Sequence, residues 1–168
     1  APSESTNFST ASAMPSWSLS SVINLASFLS FYFYKIFDNV RNIATSSTSE
    51  VFEQIMNIGE GDVFIAITFP RYSTRTIKAA KYAHDKGATV IAFTDSHSAP
   101  IIKYSDRILL ARSDMASFAD SLVAPLSLIN ALIVAIGIKR HNEISATFSQ
   151  LESIWDEYEV YEKSDENV

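Results

Sequence analysis

The 168-residue chain has no cysteine, four glycines, five prolines, three histidines and two tryptophans. Without cysteine there is no disulfide framework and no thiolate chemistry. Three scattered histidines give no reason to expect a dedicated metal site, and no cofactor is expected. None of the glycines, Gly59, Gly61, Gly87 and Gly137, lies in a candidate phosphate loop. Basic residues are scarce: 13 Lys and Arg face 19 Asp and Glu, for a net charge of −6. That balance argues against nucleic-acid binding by this chain alone. No basic segment followed by an apolar core opens the chain, so no secretory signal is read and the cytoplasm is the default location. Long apolar runs are also lacking. Val22 to Phe37 is interrupted by Asn24, Ser27, Ser30 and Lys35, and Leu122 to Ile136 by Pro125 and Asn130. Both fall short of the roughly 20 residues a span needs. They are read as helices buried in a core or at an interface, with no membrane partner.

What is present fits one ordered domain: 47% hydrophobic and 19% charged residues, in a chain long enough for a real core. The most informative stretch is Asp62 to Asp95. Val63 to Ile67 is a short apolar run of branched and aromatic residues, hence a buried strand. Pro70 prevents the ladder from continuing through the loop Thr68 to Ser73. Ser73 is suited to cap a helix that runs to Lys86, and Gly87 suits the position after its end. Thr89 to Phe93 is a second strand. The unit is βαβ, which demands a parallel sheet, and ligands of such sheets bind at the carboxyl ends of the strands. The loop from Thr68 to Thr76, rich in hydroxyls and carrying Arg71 and Arg75, lies at that end.

The rest of the chain falls into alternating elements. Ala1 to Ser12 is a frayed end, a remnant or a weak first strand. Pro15 to Ser21 is a hydroxyl-rich loop before the helix Val22 to Phe37. Asn39 to Ala44 is a short strand, Thr45 to Ser49 a loop and helix cap, and Ser49 or Glu50 to Asn57 a short helix. Ala99 to Ser105 holds one or two helical turns, and Arg107 to Ala111 is another buried strand. Ser113 to Ser117 is a polar loop before a long helix from Phe118 to Ile136. In the last helix Ile144, Phe148, Leu151, Trp155 and Tyr158 recur four, three, four and three apart. This is a continuous apolar seam, for the domain itself or for a second subunit, with Glu143, Glu152, Asp156 and Glu157 off it. The expected fold is α/β: a three-layer α/β/α sandwich, doubly wound and flavodoxin-like, on a parallel sheet of about five strands. Residues 162–168 form a charged tail.

The run from Asp62 through Ser96 resembles the second half of a sugar isomerase (SIS) domain. More narrowly, it resembles the effector domain of RpiR-type bacterial transcriptional regulators, a subgroup of which carries the Phe69-Pro-Arg-Tyr-Ser73 loop. Phe118 to Asn130 and Leu151 to Val160 resemble that family's long helix and last helix. The resemblance covers Ser18 to Tyr161. It implies an SIS domain over residues 18–161 that binds a sugar phosphate at the strand ends and forms a homodimer or higher homo-oligomer. It also implies that DNA is reached only through a helix-turn-helix domain missing from this chain. The ligand residues it suggests are Ser18, Ser20 and Ser21 in the first loop, Thr68, Arg71, Ser73 and Thr76 in the second, and Ser113 and Ser117 in the last. The usual Ser-x-Ser-Gly-x-Thr loop corresponds to Thr68 to Ser73, with Pro70 and Arg71 in place of the second serine and the glycine. Arg71 is then either a direct phosphate partner or a solvated loop arginine, and Ser73 would cap its helix in any case. No catalytic residue is assigned: His84 is read as exposed, His97 as close to the crevice and His141 as structural, and Asp95, Asp114 and Asp120 as loop or cap residues. A stand-alone SIS isomerase and a degenerate dimerisation module remain the alternatives.

Overall fold

The computed structural model describes residues 8–11, 19–45, 47–112 and 121–161. Its strands are β1 (Phe8–Ala11), β2 (Val40–Ile43), β3 (Val63–Ile67), β4 (Thr89–Thr94) and β5 (Arg107–Leu110). Its helices are α1 (Leu19–Phe33), α2 (Thr48–Ile55), α3 (Thr74–Asp85), α4 (Val123–Lys139) and α5 (His141–Glu157), with one 3-10 turn at Ile102–Tyr104. All strands are parallel, in the order β2-β1-β3-β4-β5. The expected doubly wound, flavodoxin-like sandwich is therefore the observed fold, and that strand order places its switch point between β1 and β3.

The segment left open between frayed end and strand contains the middle of the sheet. Phe8 pairs with Val40 on one side and Val63 on the other. Ser9 and Thr10 are buried, and Thr10 bonds Ser30 of α1 at 2.9 Å, while Asn42 donates to Ser27 at 3.0 Å. The serines that interrupt the apolar run of α1 thus supply partners for the buried Thr10 and the half-buried Asn42 of the sheet.

α1 begins at Leu19, before the expected Val22, and stops at Phe33, short of the expected Phe37. The chain turns back there, with Ile36 and Phe37 amides both bonding the Phe33 carbonyl. The turn packs Phe37 against Phe8, with ring centroids 4.1 Å apart and planes tilted by 34°. α3 follows the sequence reading closely. Ser73 caps its start, and Gly87, at φ 84°, closes it. The Gly87 amide bonds His84 and the Ala88 amide bonds Ala83, a Schellman ending that a left-handed residue makes possible. β5 departs from the reading as a buried strand. It is the sheet edge, with Arg107 and Leu110 exposed, because a last strand has no neighbour beyond it.

Two cores flank the sheet. α2 and α3 cover one face around Phe64, Val90, Ala79, Ala80 and Ala83. α1 and α4 cover the other around Leu25, Leu29, Phe33, Ile65, Phe93 and Ile129. Within one copy of the chain α4 is buried on one side alone. Only Pro125 and Ile129 are buried, while Val134 and Ile138 are 59% and 74% exposed. The apolar residues outnumber what one sheet face can accept. α5 has no buried residue and turns 96° from α4. Arg140 fixes the corner: its guanidinium donates to the Ile36 carbonyl at 3.2 Å, stacks 4.8 Å from the Phe37 ring centroid and pairs with Glu143. Among the described residues no single helix is long and apolar enough to cross a membrane.

Candidate functional site

The carboxyl ends of β3 and β4 lie side by side, since Ala66 pairs with Ala92 and Ile67 with Phe93. Two chain segments leave the sheet there. The first is Thr68 to Ser73. The Thr68 amide extends the ladder by one bond to the Phe93 carbonyl, 2.9 Å, and its side chain is fully buried. Phe69 is buried in the α1–α4 core, after which Pro70 and Arg71 emerge to solvent. Arg71 has φ 73°, one of two positive values at non-glycine residues among those described. A left-handed conformation of this kind disfavours a residue with a Cβ by roughly 1–2 kcal/mol. Ser73 then returns to the interior.

The hydroxyls that the sequence singled out hold this loop in shape. The Ser73 amide donates to Thr68 Oγ1 at 3.3 Å, and the Thr76 amide donates to Ser73 Oγ at 3.3 Å. Thr76 is itself buried. The capping role foreseen for Ser73 is thus present. Each of these two oxygens accepts an amide proton and keeps its own hydroxyl proton as a donor.

The second segment starts at Asp95. Tyr72 Oη donates to Asp95 Oδ1 at 2.9 Å, and Thr94 Oγ1 donates to the same oxygen at 3.2 Å. The bond bridges the loop after β3 to the end of β4. Burial, and then the bond to and charge of Asp95, push the Tyr72 phenol above its ordinary 10.0. It therefore remains a donor at neutral pH. Sequence reasoning gave Asp95 only a loop or cap role and read no bond between it and Tyr72. The available signal was an aspartate directly after a strand in the crevice, one connection away from a tyrosine.

Arg71 and Arg75 stand at the start of α3, whose first turn contains no acidic residue. The amide end of a helix carries positive potential, which favours an anion there. His97 is exposed beyond Asp95, as is His84 on α3, and His141 opens α5. Ser20 and Ser21 fall in the first turn of α1, not in the loop expected for them; serine is favoured at helix starts. Ser18, Ser113 and Ser117 lie outside the described residues. Of the nine suggested ligand residues, the structure therefore gathers Thr68, Arg71, Ser73 and Thr76.

A parallel sheet of this order, with a polar loop at the carboxyl end of β3, is a doubly wound α/β domain. The SIS domain family model matches residues 20–135, more than two thirds of the chain. The chain belongs to that family. The sugar isomerase domain of an RpiR transcription factor from Sphaerobacter thermophilus superimposes with a TM-score of 0.77 at 19% identity, over 89% of this chain and 80% of that one. The NanR protein of Vibrio vulnificus, solved with ManNAc-6P, superimposes with a TM-score of 0.69 at 13% identity, over 90% of this chain and 56% of that one. At such identities the likeness is one of fold. A UPF0309 protein of Brucella anthropi is 40% identical over 63 residues, 38% of this chain. The match spans about a quarter of that curated relative (24%).

Proposed function

We propose that this SIS domain is the sugar-phosphate-sensing and dimerisation domain of an RpiR-type regulator. The observation that carries the reading is one loop that sets the Thr68 and Ser73 hydroxyls at the amide end of α3, with Arg71 exposed just before the Ser73 cap and Arg75 in the first turn. A phosphoryl group takes up hydroxyl donors, backbone amides and a guanidinium together. The ManNAc-6P bound by NanR is consistent with that ligand class. Ser20 and Ser21, in the first turn of α1, belong to the proposal, as do Ser18, Ser113 and Ser117, which lie outside the described residues. In domain terms we assign residues 18–161 to the SIS unit, joined by β1 from the segment before it. The exposed outer side of α4 and the α5 seam are assigned to a second copy of the chain. Ligand binding would bias that dimer between two states, which a DNA-binding domain reads.

The test is thermal denaturation with a panel of sugar phosphates, amino-sugar phosphates and their unphosphorylated parents. A ligand of the native state must raise the melting temperature. The expected result is a phosphate-dependent rise that disappears in Arg71→Ala. Equal response to phosphorylated and parent sugars sinks the reading.

One observation favours a second reading, a dimerisation module without ligand. The Thr68 and Ser73 oxygens already serve the loop itself, and the glycine of the family loop is replaced by Arg71. That module would dimerise and ignore every sugar phosphate. Turnover of an aldose or ketose phosphate would instead establish an isomerase.

A further inference from the structure

We propose that Asp95, acting through the Tyr72 phenol, is a positioning residue that holds Arg71 in its left-handed turn at the strand edge. The inference rests on the anion-site reading above and adds the means by which the guanidinium is kept there.

The loop has little freedom. Phe69 is anchored in the core, Pro70 has a fixed φ, and Ser73 is buried and bonded to Thr68. Between Pro70 and Ser73 only Arg71 and Tyr72 remain to close the turn. Arg71 takes the disfavoured positive φ, and Tyr72 is tied to the neighbouring strand end by its 2.9 Å bond to Asp95. Thr94 donates to the same carboxylate oxygen at 3.2 Å and orients it. A strained conformation persists only where its surroundings over-determine it. Here the surroundings are a buried phenylalanine before the strained residue and a cross-strand clamp after it. A glycine would make the turn without penalty. An arginine makes the same turn and carries a guanidinium to the exposed edge. Loss of the clamp lets the turn relax, and the guanidinium moves with it.

Amide hydrogen exchange at Ser73 reads the turn directly, because that amide bonds Thr68 only while the turn is closed. Exchange is measured for the wild type, Tyr72→Phe, Asp95→Ala, Asp95→Asn, Arg71→Gly and the double variant R71G/Y72F. The expected result is exchange faster by about tenfold in Y72F and D95A, a smaller change in D95N, which keeps an acceptor oxygen, and little effect of Y72F once R71G has removed the strain. A merely structural bond would accelerate exchange equally with and without R71G, and that outcome overturns the proposal. So does unchanged exchange in Y72F. Titration with inorganic phosphate is run on the same chains, with weaker binding by Y72F than by wild type expected. If the exchange pattern appears and no chain binds phosphate, the clamp stands and the anion-site reading alone fails.

Discussion

On one face of the sheet α2 and α3 bury Val51, Ile55, Ala79, Ala80 and Ala83 and turn Glu53, Lys78 and Lys81 to water. On the other, α4 buries Pro125 and Ile129 and turns Val134 and Ile138 to water as well. The first pair of helices has a polar side to expose. α4 exposes Val123, Val134 and Ile138 among a few polar residues (Ser127, Asn130 and Lys139), so covering the sheet satisfies only part of its apolar surface. α5 extends the difference: its seam residue Phe148 is 36% exposed and Tyr158 71%. Sheet coverage and helix coverage are separate requirements, and one copy of this chain meets the second on one face only.

Substitutions can break this contrast. The largest effect is expected for Phe64→Ala, which hollows the closed face around a fully buried ring. A loss of about 3–5 kcal/mol in urea unfolding follows from comparable core truncations. On the open face, Val134→Glu with Ile138→Glu should leave the monomer folded. On the dimer reading the pair weakens self-association by more than about tenfold in sedimentation, since each charge would have to be desolvated. A double variant that unfolds the monomer, or leaves association unchanged, would erase the distinction between the faces. Ser73→Ala removes the cap of α3 and should cost about 1 kcal/mol in the same urea assay. The smallest effect concerns pH. The Tyr72 phenol is raised in the folded chain above its unfolded value of 10.0. Its stabilisation is therefore fully present below pH 10 and fades as pH rises through the folded value. Melting curves of wild type and Tyr72→Phe should converge on the alkaline side and stay separated at neutrality.

The sequence showed most plainly what local patterning controls. β3, the capped α3, its Gly87 ending and β4 follow from apolar runs, hydroxyl caps and a glycine, all within one stretch. Their order then dictated the parallel sheet. What stayed illegible depends on distant partners. Phe8–Ala11 contains two buried hydroxyl residues and resembles a strand only once β2 and β3 flank it and Ser30 bonds Thr10. The edge position of β5 is likewise a property of the sheet, because Arg107 to Leu110 reads as apolar whichever place it takes. At the site, the hydroxyls of Thr68 and Ser73 were recognisable by residue type, and the capping role of Ser73 by its spacing. The Tyr72 to Asp95 bond links residues on successive strand ends, and no periodicity encodes it.

The place of β1 also sets a timetable. Of the described strands, the first along the chain sits between the next two. When only β1 and α1 exist, the strand has no ladder to join. When β2 arrives it can offer one side, and the sheet still lacks the other until β3 appears. Such delayed closure lengthens the search for the native pairing. The middle of this sheet thus closes only when β3 arrives, ahead of the pairings with β4 and β5, and a change in Phe8–Ala11 is expected to slow assembly even where the finished molecule tolerates it.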